Sequence, residues 1–309
     1  MNRYLPEGSL FEKEQNLAGL QTAATLKEAA AANTILEARV KLCDYNHNLI
    51  VDLPCMKGII PREEGAMGIS EGKVRDIALI SRVNKPVCFV VTDVTTDESG
   101  NPIAYLSRRA AQQLCFENYI AALRPGDVID AKVTHLEPFG AFCDIGCGIA
   151  SLISIDCISV SRIFHPADRF AVGDAIKAVI KSVEPDGKIN LTHKELLGTW
   201  AENAALFSQG ETVSGIVRTV ESYGSFVELT PNLAGLAEPK DNVFAGQHAS
   251  VFIKNILPDK MKIKLIIVDS FDADYITAPP KYFFTGDRMD FWQYSPQECG
   301  RDIFTDFRA

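Results

Sequence analysis

The sequence predicts a mainly β chain: three tandem five-stranded barrels joined by short helices, with a helical segment before them and an aromatic-rich extension after them. Three observations carry that reading. The chain repeats itself, each repeat alternates short β-rich runs with Pro/Gly turns, and the stretches between repeats switch to helical spacing.

The repeat is plainest between PGDVIDAKVTHLEPFGAFCDI, from Pro125, and QGETVSGIVRTVESYGSFVEL, from Gln209. Without a gap, Gly126 pairs with Gly210, Val133 with Val217, Phe139-Gly140 with Tyr223-Gly224 and Phe142 with Phe226. The copies also close alike, on Lys188-Ile189-Asn190-Leu191 and Lys262-Ile263-Lys264-Leu265. A weaker copy lies upstream, from Thr34, where Arg39-Val40 stands opposite Lys132-Val133 and the tail Ile103–Arg109 parallels Ile189–Lys194.

Within the middle copy the strands are expected at Val128–His135, Ala141–Ile145, Ser151–Ile155, Ala175–Val183 and Lys188–Thr192. Their boundaries are a Pro-Phe-Gly turn and a Pro185-Asp186-Gly187 turn. Short antiparallel strands with many turns hide their edges best by closing into a barrel. Ser107–Asp127 and His193–Glu211 are Ala/Leu-rich at helical spacing, and the first residues, rich in Ala, Leu, Glu and Gln, also read as helical with Asn33 as a stop. The expected divisions are a helical segment over 1–33, a degenerate first barrel over 34–107, a helical linker over 108–124 and a second barrel over 125–195. A second linker over 196–209, a third barrel over 210–269 and an extension over 270–309 complete the chain. In that extension Ala278-Pro279-Pro280 breaks the repeat, and Tyr282, Phe283, Phe284, Phe291, Trp292 and Tyr294 gather around Gly286-Asp287. A two-strand hairpin packing back on the third barrel is expected there, because aromatic side chains bury large apolar areas.

Composition narrows the function classes. A net charge of −9 over 309 residues argues against an affinity resting mainly on phosphate neutralisation, although stacking on aromatic rings needs only a local groove of cations. No apolar run approaches the ~20 residues of a membrane span. The start, MNRYLPEGSLFEKEQN, is acidic early and lacks an apolar signal core, so a cytoplasmic location is expected. The eight cysteines include no CxxC pair and read as reduced, structural residues. No phosphate loop, HExxH or GxSxG occurs, and the acidic group Asp93, Asp97 and Glu98 reads as a solvated loop. The chain is expected to be neither an enzyme nor a carrier of metal or small-molecule cofactor.

The middle copy opens on Gly-Asp-Val, continues through Val133 to Pro138-Phe139-Gly140-Ala141-Phe142, and closes on Val172-Gly173-Asp174 and Lys188-Ile189-Asn190-Leu191-Thr192-His193-Lys194. This pattern resembles the S-one RNA-binding domain, strongly over 125–195, clearly over 210–269 and faintly over 34–107. The resemblance implies OB-type barrels that bind single-stranded RNA, and the whole chain is similar to bacterial ribosomal protein S-one-like chains. It implies stacking on Phe139 and Phe142 and on Tyr223 and Phe226, with a basic residue of the last strand at Lys188 and Lys262 and an acidic one in the preceding turn at Glu184. Ser154 and Glu238 stand where the family has a histidine, so a stacking ring is lost and Glu238 is expected to repel phosphate. In the first copy His47 and Ile50 replace the aromatic pair, and the family's docking role is expected there instead.

Residues three apart on a strand should face opposite ways, so Phe139 and Phe142 share a surface only if Gly140 breaks the strand. With the resemblance as guide, the candidate RNA contacts are Phe139, Phe142, Ser154, Lys132, Arg162, Lys188, Tyr223, Phe226, Arg218 and Lys262. His135 and His165 read as structural. The expected partners are single-stranded RNA (mRNA) and, through the resemblance, the small ribosomal subunit, with no membrane. Two other readings stay open: a protein-docking module on the ribosome or an RNA-processing complex, and an accessory subunit of a ribonuclease.

Overall fold

The computed structural model describes residues 4–185, 187–273 and 279–308. Asp186 of the expected turn and Ala278 of the expected break lie outside the described residues. Two compact units form: residues up to Leu123 with Asp144–Ala150, and Arg124–Cys143 with the residues from Ser151 onward.

Three closed five-stranded barrels account for most strands, so the expected fold class is the observed one. The first comprises β1 (Leu36–Cys43), β2 (Leu49–Asp52), β3 (Lys57–Ile60), β4 (Pro86–Thr96) and β5 (Pro102–Ser107), in the order β1-β2-β3-β5-β4. The middle barrel repeats that order with β6 (Val128–Glu137), β7 (Gly140–Asp144), β8 (Ala150–Ser154), β9 (Ala175–Val183) and β10 (Ile189–Thr192). In the third, β11 (Thr212–Glu221), β12 (Gly224–Thr230), β13 (Leu233–Ala237), β14 (His248–Leu257) and β15 (Lys262–Phe271) do the same. Each barrel closes by a parallel pairing of its third and fifth strands, which places the last strand beside the third. Alternation explains the interiors: on β9, Ile176, Ala178 and Ile180 point inward while Lys177 and Lys181 are exposed.

The N-terminal segment is less helical than expected. Its helices are α1 (Glu14–Gly19) and α2 (Ala23–Ala31), the second closed by a Thr22/Thr25 capping box and stopped by Asn33 at φ 48°. A four-residue helix, α3 (Ile77–Ile80), lies between β3 and β4 of the first barrel. In the first linker, α4 (Arg108–Asn118) is N-capped by the Ser107 hydroxyl. The second linker is mostly a 3-10 turn, Lys194–Leu197, and a short α5 (Trp200–Ala204), because Gly198 at φ 87° interrupts any longer helix.

The C-terminal extension forms a two-strand hairpin. Its strands are β16 (Phe291–Gln293) and β17 (Phe304–Asp306). Met289, Trp292, Tyr294 and Phe307 bury themselves among Val217, Val227 and Val251 of the third barrel, and also against Val179 of the middle barrel and Trp200 of the linker. The hairpin thus seals the junction of two barrels rather than covering one.

Candidate nucleic-acid interface

Phe139 lies in the turn between β6 and β7, not on a strand, so strand alternation does not separate it from Phe142. Gly140 makes this possible: a Cβ there would collide with the Ile153 carbonyl oxygen of β8. The two rings meet edge to face, with centroids 6.0 Å apart and planes at 88°. Phe139 is 55% exposed and Phe142 half-buried, so both present surface to solvent. Tyr223 and Phe226 reproduce the arrangement at 6.3 Å and 88°, with Tyr223 61% and Phe226 36% exposed. The shared geometry follows from the shared turn, since Gly224 at φ 145° makes the same close approach to the Ala237 carbonyl.

The sequence treated His135 as structural, but its exposed ring lies nearly parallel to Phe142, centroids 6.3 Å apart, while Nε2 meets Glu137 Oε1 at 2.6 Å. The equivalent strand of the third barrel carries a bulge at the matching place. In the third barrel the register of β11 shifts between Val217 and Thr219, and Thr219 then stands opposite Phe226, the position His135 holds in the middle barrel.

Strand pairing extends each ring into a row. In the third barrel Phe226 stands opposite Leu236, and Leu236 lies beside Lys264. In the middle barrel the Ile155 N–H donates to the Phe139 carbonyl, a register that sets Phe142 opposite Leu152, and Leu152 lies beside Asn190. In the first, Ile50 faces Ile59 and Ile59 lies beside Tyr105, which is 38% exposed. His47 occupies the turn in left-handed backbone at φ 63°.

The remaining sequence candidates are dispersed. Ser154 lines a shallow cavity with Leu152, Lys181, Ser182, Glu184 and Asn190, close to the row. Lys132 stands opposite Ala175, at the seam of β6 and β9. Lys188 is exposed in the turn before β10, and Lys262 begins β15 opposite Leu257, so the residues abreast of the rings are Asn190 and Lys264 instead. Arg162 is exposed in the loop joining β8 to β9, next to Ser161, whose N–H donates to the Pro231 carbonyl of the third barrel.

Arg218 requires correction as an RNA contact. It is buried, with Nε 2.7 Å from Glu228 Oε2 and a guanidinium nitrogen 3.5 Å from Asp168. Arg169 takes the same Glu228 oxygen at 2.6 Å. The carboxylate therefore clamps the middle barrel's loop to the third barrel, and neither of these two buried arginines faces a ligand. Asn232 reinforces the joint by donating to the Lys194 and Gly198 carbonyls and accepting from Val160 N–H. The repulsion expected from Glu238 is also offset, because Lys254 Nζ lies 2.8 Å from its carboxylate and holds its carboxyl below the usual range.

His193, directly after β10, faces inward. Its Nδ1–H donates to the Ile158 carbonyl, Nε2 lies 3.3 Å from the Tyr282 hydroxyl, and its ring packs edge-on to Phe170. Burial pushes its imidazole down to about 4. All eight cysteines are free thiols, five of them buried. No helix among the described residues is long and apolar enough to cross a membrane.

A family model described as the S1 RNA binding domain matches residues 122–194. The middle barrel is an S1 domain. Beyond that S1 domain, the chain is 35% identical over 261 residues to the small ribosomal subunit protein bS1 of Staphylococcus epidermidis, covering 78% of this chain and 63% of that one. It is 30% identical over 234 residues to the bS1 of Leuconostoc lactis, covering 70% and 52%. The chain thus spans 52–63% of the length of these two curated relatives. Among solved structures, a multidomain protein with nucleic acid binding domains from Streptococcus pneumoniae matches at a TM-score of 0.26 and 14% identity, over 78% of this chain and 75% of that one.

Proposed function

We propose that this chain binds single-stranded RNA on the outer faces of its second and third barrels, as a cytoplasmic, non-catalytic protein of translation that works at the small ribosomal subunit. The observation that carries the reading is the repeated edge-to-face pair, Phe139/Phe142 and Tyr223/Phe226, exposed at the same turn of two barrels. Base stacking on such rings is worth roughly 1–3 kcal/mol per base and tolerates any sequence. It suits an acidic chain of net charge −9, because it does not depend on a basic footprint. Two barrels clamped by Glu228 present their faces on one unit, so modest contacts add through effective concentration. The S1 domain and the bS1 relatives support RNA and the small subunit as partners.

The first barrel carries a different role in this reading. Where the other barrels offer paired rings, the first has a buried Ile50, a half-buried Ile59 and an exposed Tyr105, and in this reading it docks to a protein.

A salt titration of poly(U) binding by the full chain tests the proposal. Wild type should bind at low salt and the Phe139→Ala/Phe142→Ala double variant should bind much more weakly. Equal binding by both, or none by wild type, sinks the stacking reading. Co-sedimentation with small ribosomal subunits supports the translation assignment, whereas co-purification with a nuclease in their place favours an accessory role in RNA processing.

A further inference from the structure

The three barrels share one register position on the closing strand, and each fills it differently: Tyr105, Asn190 and Lys264. We propose that Lys264 supplies the ionic RNA contact of the third barrel, while Asn190 at the matching position makes the middle barrel's grip uncharged. This rests on the RNA-binding reading above and assigns its charge-dependent part to one residue.

The geometry runs as follows. Neighbouring strands lie about 4.8 Å apart, so the strand bearing Lys264 is roughly 10 Å from the one bearing Phe226. A nucleotide stacked on Phe226 and lying across Leu236 carries its phosphate toward that strand. Lys264 is exposed, on the outward face of β15 with Lys262 and Ile266. Its neighbours on the same surface are Asn255 on β14, Glu238 and Lys254. Lys254 is engaged with Glu238, so the second lysine leaves this corner positive. Lys262, the residue that the family pattern points to, pairs with Leu257 at the far end of the β14–β15 hairpin, two residues further from the row.

At the matching position Asn190 is half-buried and braced. Its amide nitrogen donates to Ser182 Oγ at 3.1 Å and to Glu184 Oε1 at 2.9 Å. A neutral amide tied to a carboxylate does not attract phosphate. Lys181, on the same cavity, turns its ammonium to Cys157 Sγ at 3.1 Å, so the middle barrel is left with its rings, His135 among them, and a polar edge for a base.

The test is the slope of log affinity against log salt for oligouridylate binding to the full chain. Each phosphate contact on a single strand contributes about 0.7 to that slope. Lys264→Met should flatten it by about that amount, Asn190→Lys combined with Glu184→Gln, which removes the neighbouring carboxylate, should steepen it by about that amount, and Lys262→Met should leave it unchanged. Phe226→Ala should weaken binding at every salt concentration without changing the slope. A wild-type slope in Lys264→Met, or the loss appearing in Lys262→Met instead, overturns the proposal while RNA stacking stands. Absence of oligouridylate binding by wild type at low salt overturns both. Circular dichroism of each variant checks that an exposed substitution has left the fold intact.

Discussion

Phe139 and Phe142 stand at right angles, 88° between ring planes, and so offer bases two flat faces that do not run parallel. Two successive bases taken up by these rings cannot remain stacked on one another. Adjacent 2-aminopurines placed in a short oligoribonucleotide should therefore brighten when the chain binds, as their mutual quenching is relieved. Phe142→Ala should abolish the increase. Unchanged quenching in a saturated wild-type complex contradicts the two-face arrangement.

The size of the stacking contribution gives a second prediction. At roughly 1–3 kcal/mol per ring, the Phe139→Ala/Phe142→Ala pair should weaken poly(U) binding at least about thirtyfold. Tyr223→Ala/Phe226→Ala should weaken it too, and replacing His47 and Ile50 should leave it near wild type. Fluorescence anisotropy at fixed salt measures all three. A larger loss from the first-barrel pair than from the middle one contradicts the grading.

Glu228 is the anion that Arg169 and Arg218 share, at 2.6 and 2.7 Å, and all three side chains are buried. Removing one partner of a buried pair leaves uncompensated charge and typically costs about 3–5 kcal/mol. Glu228→Ala should lower the urea midpoint of this unit accordingly. Trp200 and Trp292, the chain's two tryptophans, both bury at this junction, so their fluorescence follows the event. A midpoint within experimental scatter of wild type contradicts the clamp.

His193 predicts an acid limb. Its imidazole lies near 4 when folded, below the ordinary 6.5, so the folded state binds its proton less readily than the unfolded chain. Stability is fully present above about pH 6.5 and declines as pH falls toward 4, by about 3 kcal/mol for a shift of this size. Burial is what makes charging the ring unfavourable, and the nearby Arg169 adds to it, while the bond to the Ile158 carbonyl opposes the shift only in part. Unfolding free energies measured across pH 4 to 6.5 should slope upward in wild type and less so in His193→Gln. Equal slopes in the two proteins contradict the assignment.

The barrels and their rings were legible because they are local. A strand's alternation, a Pro-Phe-Gly turn and a gapless repeat are written within about ten to twenty residues of one another, and Val128–Glu137 and Ala175–Val183 fall where the pattern puts them. The same holds for Phe139 and Phe142, since the turn that brings them together is three residues from end to end.

What lies abreast of those rings was decided only by tertiary structure. Lys188 and Lys262 look right along the chain, but a parallel pairing between the third and fifth strands sets Asn190 and Lys264 beside Leu152 and Leu236. Single-residue register across distant strands has no local signature, and a shift of one residue turns a side chain to the other face. Arg218 shows the same limit from another side: nothing near it announces that Glu228 and a loop some fifty residues upstream would bury its charge. His135 lies against Phe142 across the turn between β6 and β7, a contact that its place in the chain does not announce. The sequence by itself determined which segments become barrels and where two rings meet at a turn, because these depend on neighbours in the chain. Folding in three dimensions decided which charges remain available to a ligand, because burial and cross-strand pairing join residues that the chain keeps far apart.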